Sequence, residues 1–331
     1  MPSCSSGLAA HSRWFGRAPL FDPRTGTTVL EPPGKGAGYW AGAPSALYDD
    51  DTENFYLYYR LRVPLELGRG VECRVARSQD GATFTDIWKA RKQDFDSPSV
   101  EKACLMKTPD GQWRLYLSYV DGADNRWRVD MMEAPEPGTF DPATRQKVFT
   151  AAQVGVEGVK DPVVLLIGHT YYMLLSYAPS PESVSDQQRA KMHATADVYN
   201  TGITRSCTAL ATSTDGARFE WHGEVFGPGE SWDAYCGRLG GVVYLPPVFT
   251  VFYDGSASVD ENYEEKTGLA MSLDLRHFER VSRAAPILTS PHASHSLRYI
   301  DAVQLAEQIY YYYEYARSDG SHELRLSRAG L

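Results

Sequence analysis

The stretch Ile309-Tyr310-Tyr311-Tyr312-Tyr313-Glu314-Tyr315 decides the fold, because it is one of five copies of a single strand type. The others are Phe55-Tyr56-Leu57-Tyr58-Tyr59, Trp113-Arg114-Leu115-Tyr116-Leu117-Ser118-Tyr119, Tyr171-Tyr172-Met173-Leu174-Leu175-Ser176-Tyr177 and Phe249-Thr250-Val251-Phe252-Tyr253. Runs so rich in aromatic and β-branched residues, bounded by Gly, Pro and Asp, read as strands. A short apolar segment and a turn precede each copy. Those segments begin at Ala43, Glu101, Asp161, Asp233 and Asp301, which lie 58, 60, 72 and 68 residues apart. A third strand follows each copy. In two repeats it ends in Asp-Gly (Ser78-Gln79-Asp80-Gly81, Ser213-Thr214-Asp215-Gly216), a tight hairpin signal, with Phe84 or Phe219 opening a fourth strand. Ser272-Leu273-Asp274 with Phe278 is a weaker echo.

The unit is therefore four antiparallel strands, repeated five times. Stacking such sheets radially protects their edges and gives an all-β, five-bladed β-propeller. The reading is one domain over residues 1–331, with blades starting near 43, 101, 161, 233 and 301. The last copy ends after about three strands, so the N-terminal segment Trp14–Leu30 is expected to supply its outer strand and close the ring. Two separate β domains would need a linker. The best candidate, Ala178–Gly202, falls inside a repeat.

The 331 residues carry a formal net charge of −9. That excludes the basic footprint of a general nucleic-acid binder and disfavours anionic membrane surfaces. No run of 18 apolar residues is present. Met1–Phe15 lacks the apolar core of a secretion signal. The five cysteines (Cys4, Cys73, Cys104, Cys207, Cys236) show no Cys-x-x-Cys spacing. Reduced thiols in a cytoplasmic protein without a zinc site are expected.

In a propeller the innermost strand of each blade lines the central channel. Position one of those strands reads Ala43, Glu101, Asp161, Asp233, Asp301, four of five acidic. A carboxylate opening a buried strand costs desolvation, and a ring of them can push pKa values apart into an acid and a base. The alternatives are local hydrogen bonds that pin each blade, or a structural cation in the channel. The connections between second and third strands cover this mouth. The longest, Ala178–Arg205, holds His193, Asp197 and Tyr199 and reads as a mobile lid. Trp40, Arg62, Lys160, Trp232, Tyr253, Asp254 and His295 are expected to face the mouth as substrate-binding groups, with Lys102 and His292 nearby.

The segments Val159-Lys160-Asp161-Pro162-Val163-Val164, Gly168-His169-Thr170-Tyr171-Tyr172 and Tyr253-Asp254-Gly255 resemble those of the five-bladed β-propeller glycosidases: glycoside hydrolase families 43, 32, 68 and 117, and the phosphorylase family 130. The resemblance implies an enzyme that cleaves a terminal glycosidic bond in an acidic axial pocket. By position it makes Asp161 the orienting carboxylate and Asp233 the general acid. The blade-one base of those families is Ala43 here, which turns attention to Glu101 or Asp301. Phosphorolysis is the alternative, with Arg62, Lys102 and Lys160 holding phosphate. A propeller that binds sugar without cleaving it is a further one. Either way the partner is a small carbohydrate, with no metal or organic cofactor required.

Overall fold

The computed structural model describes residues 16, 18–292 and 294–331. Cys4, Trp14 and the rest of Met1–Phe15 lie outside the described residues. Strand β1 (Thr27–Leu30) comes first in the chain and joins the last sheet. The first sheet is β2 (Trp40–Asp49), β3 (Asn54–Arg62), β4 (Gly70–Ser78) and β5 (Thr85–Arg91). The second is β6 (Val100–Lys107), β7 (Trp113–Val120), β8 (Trp127–Ala134) and β9 (Gln146–Thr150). The third is β10 (Gly158–Ile167), β11 (Thr170–Ala178), β12 (Cys207–Ser213) and β13 (Glu220–Phe226). The fourth is β14 (Cys236–Leu245), β15 (Val248–Ser256), β16 (Lys266–Ser272) and β17 (Phe278–Arg280). The fifth is β18 (Leu297–Gln304), β19 (Gln308–Ala316) and β20 (His322–Gly330), and β1 pairs antiparallel with β20 as its fourth strand. Neighbours within each sheet are antiparallel. A single parallel pair, Trp40 with His322, links the fifth sheet to the first.

Five apolar clusters fill the spaces between consecutive sheets. Tyr58, Val75, Leu105 and Leu117 lie between the first and second sheets, and Cys104, Val129, Met173 and Ala209 between the second and third. Leu174, Leu210 and Val251 join the third to the fourth, and Phe252, Ile309 and Tyr311 the fourth to the fifth. Leu57, Ala76, Tyr312 and Leu324 return from the fifth to the first. Each second strand is thus apolar on both faces, which is why its sequence runs continuously hydrophobic instead of alternating. Tyr outnumbers Phe there because the phenol reaches a neighbouring backbone. Tyr312 donates to the Gly81 carbonyl at 2.6 Å and Tyr116 to that of Gly216 at 2.6 Å, so each pins an Asp-Gly hairpin of the next sheet. Ring burial and a satisfied hydroxyl come together in one residue.

The five first strands all carry a bulge two residues long. The pairing skips Ala43–Pro44, Glu101–Lys102, Asp161–Pro162, Gly240–Gly241 and Tyr299–Ile300. Ala43, Asp161 and Tyr299 there adopt φ of +52°, +54° and +53°. The equivalent residues around the ring are therefore Ala43, Glu101, Asp161, Gly240 and Tyr299. The expected register holds for three sheets and fails for two. Asp233 lies before β14 begins, and Asp301 comes directly after its sheet's bulge, two residues past Tyr299.

The long third connection is not the loose lid its composition suggests. Ser185 caps α2 (Asp186–Ala194; α1 is the single turn Ala151–Val154), accepting from the Gln188 amide while Gln188 answers back to the Ser185 amide. Met192, Val198 and Tyr199 are buried against Val120, Trp127 and Ala178.

Candidate functional site

The bulges aim Glu101 and Tyr299 at one end of the space between the first strands, where Arg62, Arg69, Trp127, Lys160, Asp197, Tyr263, Glu265 and Arg298 also line a cavity, and set Asp161 behind its wall against Lys160 and Tyr299. The enclosed volume is only about 10 Å³, the room of one water molecule. Around it runs a continuous set of buried ion pairs. Arg60 Nε meets Glu101 Oε1 at 2.6 Å and its Nη2 meets Glu314 at 3.2 Å. Arg298 bridges Glu314 at 2.7 Å and Glu265 at 2.5 Å. Arg238 bridges Glu265 and Asp254, both at 3.0 Å, and reaches Asp161 Oδ2 at 3.4 Å. His322 lies 2.9 Å from both Glu314 and Glu264. Charges this deeply buried persist only when paired.

The pairing sets protonation. Burial alone would raise the Glu101 carboxyl, but Arg60, Lys160, Arg62 and Arg298 outweigh it and hold it down at about 2. Glu101 is therefore an anion at neutral pH. Glu314 is held well below the usual range by Arg298, Arg60 and His322 against the same burial. Tyr299 is pushed well above an ordinary phenol, mainly by burial, and stays a neutral donor. Its hydroxyl lies 3.4 Å from Asp161 Oδ2, which also faces Lys160 Nζ at 3.3 Å. The other Asp161 oxygen, Oδ1, is buried with no hydrogen-bond partner among the described residues.

The structure brings together only part of the expected set. Glu101, Arg62 and Lys160 meet at the cavity, and Asp161 lies behind them on Lys160. Asp254 lies just behind it on Arg238, its second oxygen accepting from the Tyr299 amide, and burial raises its carboxyl. Trp40 is present but covered, stacked on His322 at 4.6 Å and under Arg62 at 4.4 Å. Asp233 does not belong. It is buried in the fourth sheet, accepting from Tyr253 at 2.9 Å and from Arg280. Trp232 stacks on Tyr253 and donates to the Ser282 carbonyl, so these two aromatics serve the same packing. His295 is exposed on the connection before β18, its ring 3.0 Å from the Ser290 carbonyl.

Asp301 and Lys102 sit at the opposite end, in a cavity of about 300 Å³ walled by Leu47, Leu105, Val163, Leu165 and Val242. Lys102 donates to the Pro44 carbonyl. Asp301 accepts from the Ala46 amide at 2.7 Å and the Ala302 amide at 3.0 Å. From the expected lid, Asp197 pairs with Arg69 at 3.3 Å, Tyr199 donates to the Gly158 carbonyl, and His193 lies 2.7 Å from Glu157.

Arg60, Arg238, Glu265, Arg298, Tyr299, Glu314 and His322 escaped the reading of the sequence. A signal existed for some: Arg60 and Glu314 are charges inside Tyr-rich strands buried on both faces. Among the described residues, no three His, Cys, Asp or Glu side chains are grouped as a metal site.

No protein-family model matches the chain, and no curated protein matches it by sequence. Solved structures do match. A glycosyl hydrolase from Bacteroides ovatus superposes with a TM-score of 0.63 over 95% of this chain and 94% of that one, at 13% identity. The chain shares its fold. A β-1,2-mannobiose phosphorylase from Listeria innocua, solved with β-1,2-mannobiose, gives 0.61 over 92% and 94%, at 14% identity. A structure reported with glycoside hydrolases of the GH130 mannoside phosphorylase family, which target β-1,2 mannosidic linkages in Candida mannan, gives 0.62 over 95% and 94%, at 15% identity.

Proposed function

We propose that the five sheets form one closed β-propeller domain, and that the chain acts on a glycosidic bond at the end of the channel where Glu101 and Asp161 meet. The observation that carries this reading is the bare Oδ1 of Asp161. A buried carboxylate oxygen without a partner is costly, and this carboxylate sits against Lys160 and the neutral phenol of Tyr299, two groups that line the central cavity. The proteins that share the fold process glycosides. Sheets packed in a cycle, with β1 completing the fifth, support the closed ring.

In this reading Asp161 touches the substrate. Glu101, locked as an anion, holds Arg60 and steadies Arg62. Tyr299 donates to an oxygen of the bound sugar. Asp233 and Asp301 take no part. A sugar enters only when the 179–206 and 257–265 connections part, because Asp197 with Arg69 and Asn200 with Asn262 now bridge the mouth.

The test is turnover of a glycoside panel, with and without inorganic phosphate, by the wild type and by Asp161→Asn. Expected is loss of at least about a hundredfold in kcat, in line with removal of a catalytic acid or base, in a variant that still unfolds cooperatively although Lys160 and Arg238 lose a partner. Full activity in Asp161→Asn on the same substrate would overturn it. One observation favours sugar binding without cleavage: each carboxylate that lines the cavity, Glu101, Asp197 and Glu265, already has an oxygen paired with a cation. Saturable binding of a glycan with no product in either buffer is the outcome that selects that second reading.

A further inference from the structure

Six basic side chains meet at the catalytic end: Arg60, Arg62, Arg69, Lys160, Arg238 and Arg298. Five of them have a carboxylate oxygen within 3.3 Å. Arg62 does not. Its closest carboxylate oxygen is Glu101 Oε2 at 4.0 Å, and its Nε is buried without a partner among the described residues. The guanidinium is only 5% exposed. Two rings pack against it at a corner, Trp40 at 4.4 Å and Tyr263 at 4.2 Å, with their own centroids 6.0 Å apart. A guanidinium with an unbonded N–H suits a planar oxyanion.

The surroundings lean the same way. Apart from the His322 Nε2 and Glu264 Oε2 ion pair, the unpartnered polar atoms at this end among the described residues are four donors (Trp40 Nε1, Arg60 Nη1, Arg62 Nε, Trp127 Nε1) against one acceptor, Asp161 Oδ1. Neutral hydroxyls bring donors and acceptors in equal supply. An oxyanion brings acceptors only. A buried guanidinium with no hydrogen-bonded acid is also unfavourable by itself, which marks it as a group waiting for a ligand.

We propose that the glycoside taken by this site carries a single negative charge on the sugar, a carboxylate, and that Arg62 receives it. The leftover donors call for a group that brings acceptors only, and a carboxylate supplies two in one plane. The six cations already face six carboxylates, so a dianion such as inorganic phosphate would bring a larger excess of negative charge than a carboxylate does. This inference rests on the glycoside reading above and names its substrate class.

The experiment measures binding by calorimetry, without turnover. The probes are methyl glycosides of glucuronate and galacturonate, their glucose and galactose counterparts, a sugar sulfate monoester, and inorganic phosphate alone. The wild type is expected to bind a uronate tenfold to a hundredfold more tightly than its neutral counterpart, on the order of one charge-assisted contact. In Arg62→Met that preference disappears, and Arg62→Lys restores part of it. Equal affinity for acidic and neutral sugars in the wild type overturns the inference and leaves the glycoside reading standing. So does tighter binding of the sulfate ester or of phosphate alone. Binding of no sugar of either kind overturns the glycoside reading and the inference with it. If Arg62→Met does not fold, the wild-type comparison alone decides.

Discussion

Glu101 and Lys102 are neighbours in the chain and serve opposite ends of the same central space. On the Glu101 side the void is about 10 Å³ and ringed by ion pairs. On the Lys102 side it is about 300 Å³ with mostly apolar walls. A bulge in each first strand divides the two. At the Glu101 end Arg60, Arg238 and Arg298 each bridge two or more carboxylates, so removing any of the three strands another charge. At the Lys102 end Asp301 is satisfied by backbone amides, which no side-chain change removes. Structural importance and openness to a ligand therefore have different sources at the two ends.

The largest expected effect tests that difference directly. Arg298→Met leaves Glu265 and Glu314 buried beside fewer cations, a loss of about 3–5 kcal/mol for a broken buried pair. Asp301→Asn at the far end deprives one backbone N–H of its acceptor and costs about 1–2 kcal/mol. Denaturant unfolding of both variants measures the gap. Equal losses would erase the contrast between the ends.

Acid and base should also act oppositely on them. Glu101 and Glu314 have lowered pKa values, so their stabilisation is present above the ordinary Glu range and fades as pH falls toward about 2 for Glu101. His322 is raised by Glu264 and Glu314 despite its burial. Its contribution is complete below pH 6.5 and fades as pH rises through the folded value. Asp301 is raised by burial, with Lys102 offsetting part of it. Its contribution is complete below the ordinary Asp value and fades as pH rises through its own raised one. Unfolding free energy against pH should therefore fall above neutrality in the wild type and flatten there in His322→Gln. Asp301→Asn should remove a separate decline in the acid range. The same alkaline decline in His322→Gln would show that the ring of ion pairs is not what titrates.

The sheets were easier to read than the site, for a physical reason. A strand buried on both faces must be apolar and aromatic along its whole length, so the five Tyr-rich copies announce themselves. The bulge that aims a side chain into the centre has no such composition. It is built on Ala43, Glu101, Asp161, Gly240 and Tyr299, five residues of four chemical kinds. Asp233 and Asp301 imitated the missing members because both are acids close to the start of a first strand. Glu101 and Asp161 were found because their sheets keep the expected spacing. Arg60 and Glu314 were hidden on second strands, where they face the centre only because the partner strand bulges opposite them. The lid misled for another reason: its polar residues belong to α2, while the buried Met192, Val198 and Tyr199 are scattered singly through it.

The smallest expected effect lies away from both ends, in the hairpins that carry the repeat signature. Asp80 Oδ1 accepts from the Ala82 amide at 2.8 Å, the Thr83 amide at 2.7 Å and the Ser78 hydroxyl at 2.8 Å. Asp215 and Asp274 make the same set with their own turns. These carboxylates are exposed to water, so losing one frees backbone amides that solvent can still satisfy. Asp80→Ala should cost about 1 kcal/mol, the worth of local side-chain to backbone bonds. Asp80→Asn keeps the accepting oxygen and should cost less than half of that. Neither should alter sugar binding, because the hairpin touches the rest of the fold through Tyr312 at the Gly81 carbonyl and not through the central cavity. Melting and calorimetry on the two variants check this. A loss in Asp80→Ala as large as that in Arg298→Met would mean that the rim, and not the charged centre, holds the sheets in their cycle.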